Sequence, residues 1–310
     1  MKKTLNAIFL LSGTAIGSGM LSLPIVLAKI GVVPIIFIML LFCALTYFSA
    51  LVRVELNLQS DKDNTLGKVG LIFSGPKVAW MGDVSLKILM FSLLAAYLYG
   101  LSSIIKSIFL ENIALTNVVV AVSALLFLLM VSSPQILLNL NKWTIVALIT
   151  MVTAVVAMMA SHFKLESVVW FTRKATNFGT LTAILPKIYT SFGFQGSIHS
   201  LTKMCNNDIK LIKTACLWGS IIPATVYIIW TGSVICLLSA KFPDSLATLM
   251  SGGIEVSELV TMLTMTCNWK FVKTLLLAVS LTAITTSIFG VGLCLKDDFN
   301  TFFKKSLGMR

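Results

Sequence analysis

The sequence predicts an all-α polytopic membrane protein of about eight transmembrane helices. Two observations carry that class. The 310-residue chain is 57% hydrophobic and only 12% charged, whereas soluble domains carry roughly 25% charged residues. Its mean hydropathy is +0.95, and apolar runs that reach the ~20 residues a bilayer requires recur from end to end. A third observation argues against a set of plain anchors: two of the runs hold closely spaced glycines.

The runs place spans at residues 5–30, 33–56, 83–106, 115–133, 142–161, 178–204, 214–239 and 271–295. The first follows Met1-Lys2-Lys3 as a signal peptide would, but it is too long and lacks a small-residue cleavage site. It therefore reads as a retained span. Inside it lies GTAIGSGMLSLP, from Gly13 to Pro24. Each of its three glycines, Gly13, Gly17 and Gly19, costs a helix roughly 1 kcal/mol relative to alanine. Two readings account for that cost. Gly13 and Gly17 form GxxxG, a helix-packing motif. Alternatively the helix is interrupted, which lipid tolerates only where the freed backbone lines a cavity or is buried in protein. The sixth span repeats the pattern in TSFGFQGS, Thr190 to Ser197, with Gly193 and Gly196. Paired interrupted spans in two halves of a chain point to a transporter site. The expectation is that spans one and six are both broken.

Two other spans carry polar chemistry. The third holds AAYLYG, in which small residues flank Tyr97 and Tyr99. Tyr97 would offer a hydroxyl to a site, and Tyr99 reads as part of an interfacial aromatic belt. In the eighth, Thr282, Thr286 and Phe289 share one helical face. That stripe either lines a cavity or bonds back to its own helix. The loop over residues 57–82 has room for a short amphipathic helix on the cytoplasmic face, and the loop over 240–270 for short surface helices at PDSLATLM and SGGIEVSELV.

The charges orient the chain. Of the 24 Lys and Arg residues, fifteen fall on the side of the N-terminus, eight on the other, and Lys187 lies within a span. This bias places both termini in the cytoplasm. The net charge of +12 is thus a topology signal; a nucleic-acid partner would need a clustered basic face. The six cysteines form no CxxC pair, so they read as inert thiols with no zinc or disulfide framework. His162 and His199 have no ligand-spaced partner, and there is no HExxH, GxSxG or phosphate loop. The sequence therefore predicts no enzyme, cofactor or metal site. Lys187 either pairs with a substrate or snorkels outward.

Together, GTAIGSGMLSLP, TSFGFQGSIHSL, AAYLYG and the seventh-span segment GSIIPATVYIIW resemble the hydroxy/aromatic amino acid permease family of bacterial tyrosine- and tryptophan-specific transporters, within the amino acid–polyamine–organocation superfamily. The resemblance covers nearly the whole chain. It implies a LeuT-like inverted-repeat bundle in one transporter domain, residues 1–310, with a first repeat over 1–161 and a partial second repeat over 178–295. It also implies proton symport of an aromatic amino acid across the bacterial inner membrane.

The residues suit such a substrate. Amides of Gly17, Ser18 and Gly19, at the start of a half-helix, would take a carboxylate. Unwound carbonyls near Ala15, Ile16, Phe192 and Gly193 would take the ammonium, and the rings of Phe192 and Phe194 an aromatic side chain. Thr14, Tyr97, Ser191, Gln195, Gly196, Thr282 and Thr286 complete the expected binding set. The chain departs from the family pattern in two ways. Gln195 stands where histidine is common, and glutamine keeps hydrogen bonding without titrating near neutral pH. The chain also ends after the span that corresponds to the eighth, leaving three helices for the second repeat. A partner fragment or self-association would then complete the bundle, and a truncated membrane protein that does not transport is the alternative.

Overall fold

The computed structural model describes residues 2–60, 66–110, 112–131, 134–160, 166, 168–241, 243–251, 259, 262–263 and 270–306. Among these there is no strand. In chain order the helices are α1 (Lys2–Leu27), α2 (Val32–Gln59), α3 (Leu66–Phe109), α4 (Leu115–Val131), α5 (Pro134–Ala160), α6 (Phe178–Ser191), α7 (Ile198–Met204), α8 (Ile209–Lys241), α9 (Pro243–Ser251) and α10 (Lys270–Ser306). Helical 3-10 turns cover Arg173–Thr176 and Phe194–Ser197.

α1 is the axis of the bundle. Every residue from Leu10 to Gly17 is buried, as are Gly19 and Met20, which is the state expected of a helix apolar on all sides. It packs most extensively on α8, then on α10, with α6 and α5 closing the remaining flanks. The other helices turn apolar residues outward, including Phe37, Phe127 and Trp143, each more than two-thirds exposed. Water penalises such a surface, whereas lipid tails match it. Five helices among the described residues have both the length and the hydropathy to cross a bilayer: α2, α3 (over Gly67–Lys106), α5, α8 and α10. The chain is a polytopic helical membrane protein. α4, at 17 residues, is shorter than the ~20-residue standard.

One expectation is overturned outright. α1 runs unbroken from Lys2 to Leu27, so its glycines do not interrupt the helix. They let neighbouring helices approach its backbone. The sixth span is broken as expected: α6 stops at Ser191, Phe192 and Gly193 leave the helix, and α7 begins at Ile198.

Local chemistry sets the ends of these elements. Gly75, at φ 81°, turns α3 back on itself just before Pro76, a conformation that glycine alone adopts without strain. The short leg is the helix expected in the 57–82 loop, and it lies so close to the long leg that a Cβ on Gly70 would sit 3.0 Å from the Ala79 Cα. Asn177 caps α6 by accepting from the Thr180 amide at 3.2 Å. Asp208 caps α8 by accepting from Lys210 and Leu211. At the far end, the Val32 and Val33 amides donate to Val169 and Trp170, and Thr172 donates back to Ile30. This strap ties the α1–α2 turn to the segment before α6. Of the two expected loop helices, PDSLATLM forms α9, and SGGIEVSELV lies almost wholly outside the described residues.

Candidate functional site

The glycines of α1 mark three crossings. A Cβ on Gly13 would run into the Ile145 side chain of α5. One on Gly17 would collide with the Ala283 carbonyl and the Ser287 side chain of α10. One on Gly19 would lie 2.6 Å from the Tyr227 ring of α8 and 2.7 Å from the Ser191 Cβ of α6. The α10 crossing is reciprocal, because a Cβ on Gly290 would strike Thr14. The packing reading of GxxxG thus describes Gly13 and Gly17, while Gly19 brings α1, α6 and α8 together.

At that junction stands Tyr227, fully buried. Its hydroxyl donates to the Ala15 carbonyl at 2.6 Å and to the Ser191 carbonyl at 2.9 Å. Ser191 is the last residue of α6, where carbonyls lose their intrahelical partners. Past it the chain tightens: the Phe194 amide donates to the Phe192 carbonyl at 2.8 Å, an i→i+2 closure of γ-turn type. The break is therefore stabilised by a local turn and by a side chain from another helix.

The rings of Phe192 and Phe194 do not form a shared aromatic surface. Phe192 meets Tyr227 edge-on at 5.5 Å and stacks on Phe42 at 6.4 Å. Phe194 belongs to a different cluster, with Leu11, Ala15, Val54 and Ile198. Both rings are spent on core packing because the tight turn at Gly193 sends them in different directions. Gln195 reaches α2, where its Oε1 accepts from Ser49 at 3.3 Å. Gly196 is closed over by Met90 and Cys294. Ile16 is buried in the main core with Phe192, and Ser18 lies in the same continuous turn of α1.

On α10 the hydroxyls bond back to their own helix. Thr282 donates to Ala278 at 2.7 Å and Thr286 to Ala283 at 2.7 Å. Ser287 instead reaches across to the Thr14 carbonyl at 3.4 Å. Tyr97 is buried in a cluster with Leu10, Leu101 and Ile284, and Tyr99 is exposed. Lys187 is exposed on α6, so it points out of the bundle. The structure thus brings Ala15, Gly19, Ser191 and Phe192 together and sets Tyr97, Phe194 and Gln195 around them. The sequence reading missed Tyr227, although a tyrosine deep in an apolar span is itself a signal: a buried phenol needs a hydrogen-bond partner.

A buried glycine-faced helix crossed by a broken one, inside an apolar multi-helix bundle, defines a polytopic membrane protein with polar backbone held in its interior. A model of the tryptophan/tyrosine permease family matches residues 1–308, and the chain belongs to that family. It is accordingly a transporter and not an enzyme. It is similar to tyrosine-specific transport system 1 of Haemophilus influenzae, 26% identical over 309 residues that cover 100% of this chain and 76% of the relative. Glutamine transporter 2 of Aliivibrio fischeri is 26% identical over 307 residues, 94% of this chain and 74% of the relative. The low affinity tryptophan permease of Proteus vulgaris is 22% identical over 305 residues, 93% and 70%.

Proposed function

We propose that the chain imports a neutral amino acid, aromatic in the first reading, by proton symport across the bacterial inner membrane, with its N-terminus in the cytoplasm. The observation that carries this reading is the junction of α1, α6 and α8. There the carbonyls of Ala15 and Ser191 converge on one polar group at the end of a broken helix. Such carbonyls suit an ammonium, and the freed backbone from Ser191 to Gly196, packed against residues Thr14 to Gly19 of unbroken α1, forms the substrate-binding frame. Tyr97, Thr282 and Thr286 flank it. The broken α6–α7 element, crossed by buried α1, supports a LeuT-like arrangement with repeats over 1–161 and 178–295. The tyrosine and tryptophan relatives support an aromatic substrate.

A second reading, transport of glutamine, is favoured by two observations. The Phe192 and Phe194 rings are occupied by core packing, and a glutamine transporter stands among the relatives. The test is uptake of labelled tyrosine, tryptophan, phenylalanine and glutamine into liposomes that contain the purified chain, with and without an inward proton gradient. Gradient-dependent accumulation of an aromatic amino acid supports the first reading. Accumulation of glutamine alone replaces it with the second, and no accumulation of any of the four removes both substrate readings.

A further inference from the structure

We propose that the Tyr227 hydroxyl and the ammonium of the transported amino acid compete for the same two carbonyls, Ala15 and Ser191, so that Tyr227 acts as a built-in surrogate ligand. This rests on the amino acid transport reading and deepens it. The hydroxyl touches both carbonyls, at 2.6 Å and 2.9 Å, from inside the protein core. A phenol has one proton to donate. One proton cannot satisfy both: the Ala15 carbonyl, inside unbroken α1, offers it a second lone pair, and the Ser191 carbonyl, at the end of α6, has lost its intrahelical partner. A primary ammonium brings three protons and a charge, and charge-assisted hydrogen bonds are roughly twice as strong as neutral ones. The pair of acceptors is therefore better matched to an ammonium than to the group that fills it.

The surroundings fit an exchange of partners. The approach depends on Gly19, which leaves no side chain between α1 and the phenol. The ring rests edge-on against Phe192 at the α6 break. Displacing the hydroxyl would release α8 from α1 and α6 at one point, and α8 is the helix that packs most extensively on α1. In the unloaded return step of a transport cycle, the hydroxyl keeps the Ser191 carbonyl, left without an intrahelical partner at the end of α6, from standing bare.

The test is calorimetric binding of tyrosine, tryptophan, phenylalanine and glutamine to the full chain in detergent, each beside its des-amino counterpart. Tyr227→Phe keeps the ring and removes the competitor. It should tighten amino acid binding about tenfold, on the scale of one net hydrogen bond, and leave the des-amino acids unchanged. Replacing Tyr227 with 4-fluorophenylalanine keeps the bulk at the para position and should do the same. In liposomes, Tyr227→Phe should slow net uptake severalfold while loaded exchange persists. Infrared difference spectra of the unmodified chain give an independent readout: an amino acid should shift a tyrosine C–O band and its des-amino counterpart should not. Unchanged or weaker amino acid binding by a folded variant, an equal gain for the des-amino acids, or the absence of that infrared shift overturns the proposal. If the unmodified chain binds none of the four amino acids, the proposed substrate class falls and this inference falls with it. If it binds them and the variants gain nothing, this inference alone falls.

Discussion

A methyl group added at Gly17 would have to share space with the Ala283 carbonyl, and a backbone oxygen cannot turn aside as a side chain can. Gly17→Ala should therefore push α1 from α10 and lower stability by about 1–3 kcal/mol, the usual range for overpacking. Gly232, also helical, has nothing within 4 Å of its would-be Cβ, so Gly232→Ala should be neutral or slightly stabilising. Thermal melting of the two purified variants checks the contrast, and equal melting temperatures would remove the close-approach argument. Gln195 poses a different question at the same scale. Its amide bonds Ser49 of α2, beside the broken helix. Gln195→His puts a group that titrates near neutral pH at that point. The pH optimum or substrate profile of uptake should shift while expression holds; an unchanged profile would place the side chain outside the binding frame.

The break between α6 and α7 depends on a few atoms. A Cβ on Gly193 would lie 2.8 Å from the Thr190 carbonyl, which is already engaged by the Gly193 amide. Gly193→Val should thus deform the turn that offers the Ser191 carbonyl. Uptake should fall at least tenfold, on the order of the 1.4 kcal/mol that tenfold represents, with the protein still present in the membrane fraction. Normal uptake would mean that the break is not part of the site. At this scale the sequence is a sound guide to one helix and a misleading one to the other. Glycine spacing is identical evidence for a break and for a close crossing. In α6, Gly193 and the polar residues around it ended the helix. In α1, a continuous helix satisfies every backbone group and the glycines fit against Ile145, Ala283 and Tyr227.

For the whole molecule, the outward apolar faces and the buried α1 set which surfaces meet lipid, while the charges at the helix ends bear on orientation. Cysteines introduced at Lys210 and Lys174, both on exposed positions, report on it. With the N-terminus inside, an impermeant thiol reagent applied to intact cells should label position 174 and spare position 210. The reverse pattern would invert the topology. Native thiols interfere little at this end: burial, helped by the nearby Asp208 charge, pushes the Cys205 thiol up to about 11, so it is protonated and slow to react at neutral pH.

Composition and the length of the apolar runs by themselves determined a multi-pass helical protein, because a bilayer admits few structures whose backbone is internally satisfied. The motifs also led to the broken helix at Ser191–Gly196 and, through their resemblance, to the permease family. What only the tertiary structure decided is which groups meet at the centre. Tyr227 is 36 residues from Ser191 and 212 from Ala15 along the chain. No spacing rule links positions that far apart; their meeting follows from how α8 crosses α1 at Gly19. The hydroxyls of Thr282 and Thr286 were equally ambiguous in sequence. Each could face a cavity or its own helix, and the tight fit of α10 against Gly17 leaves them bonded to the backbone a turn behind.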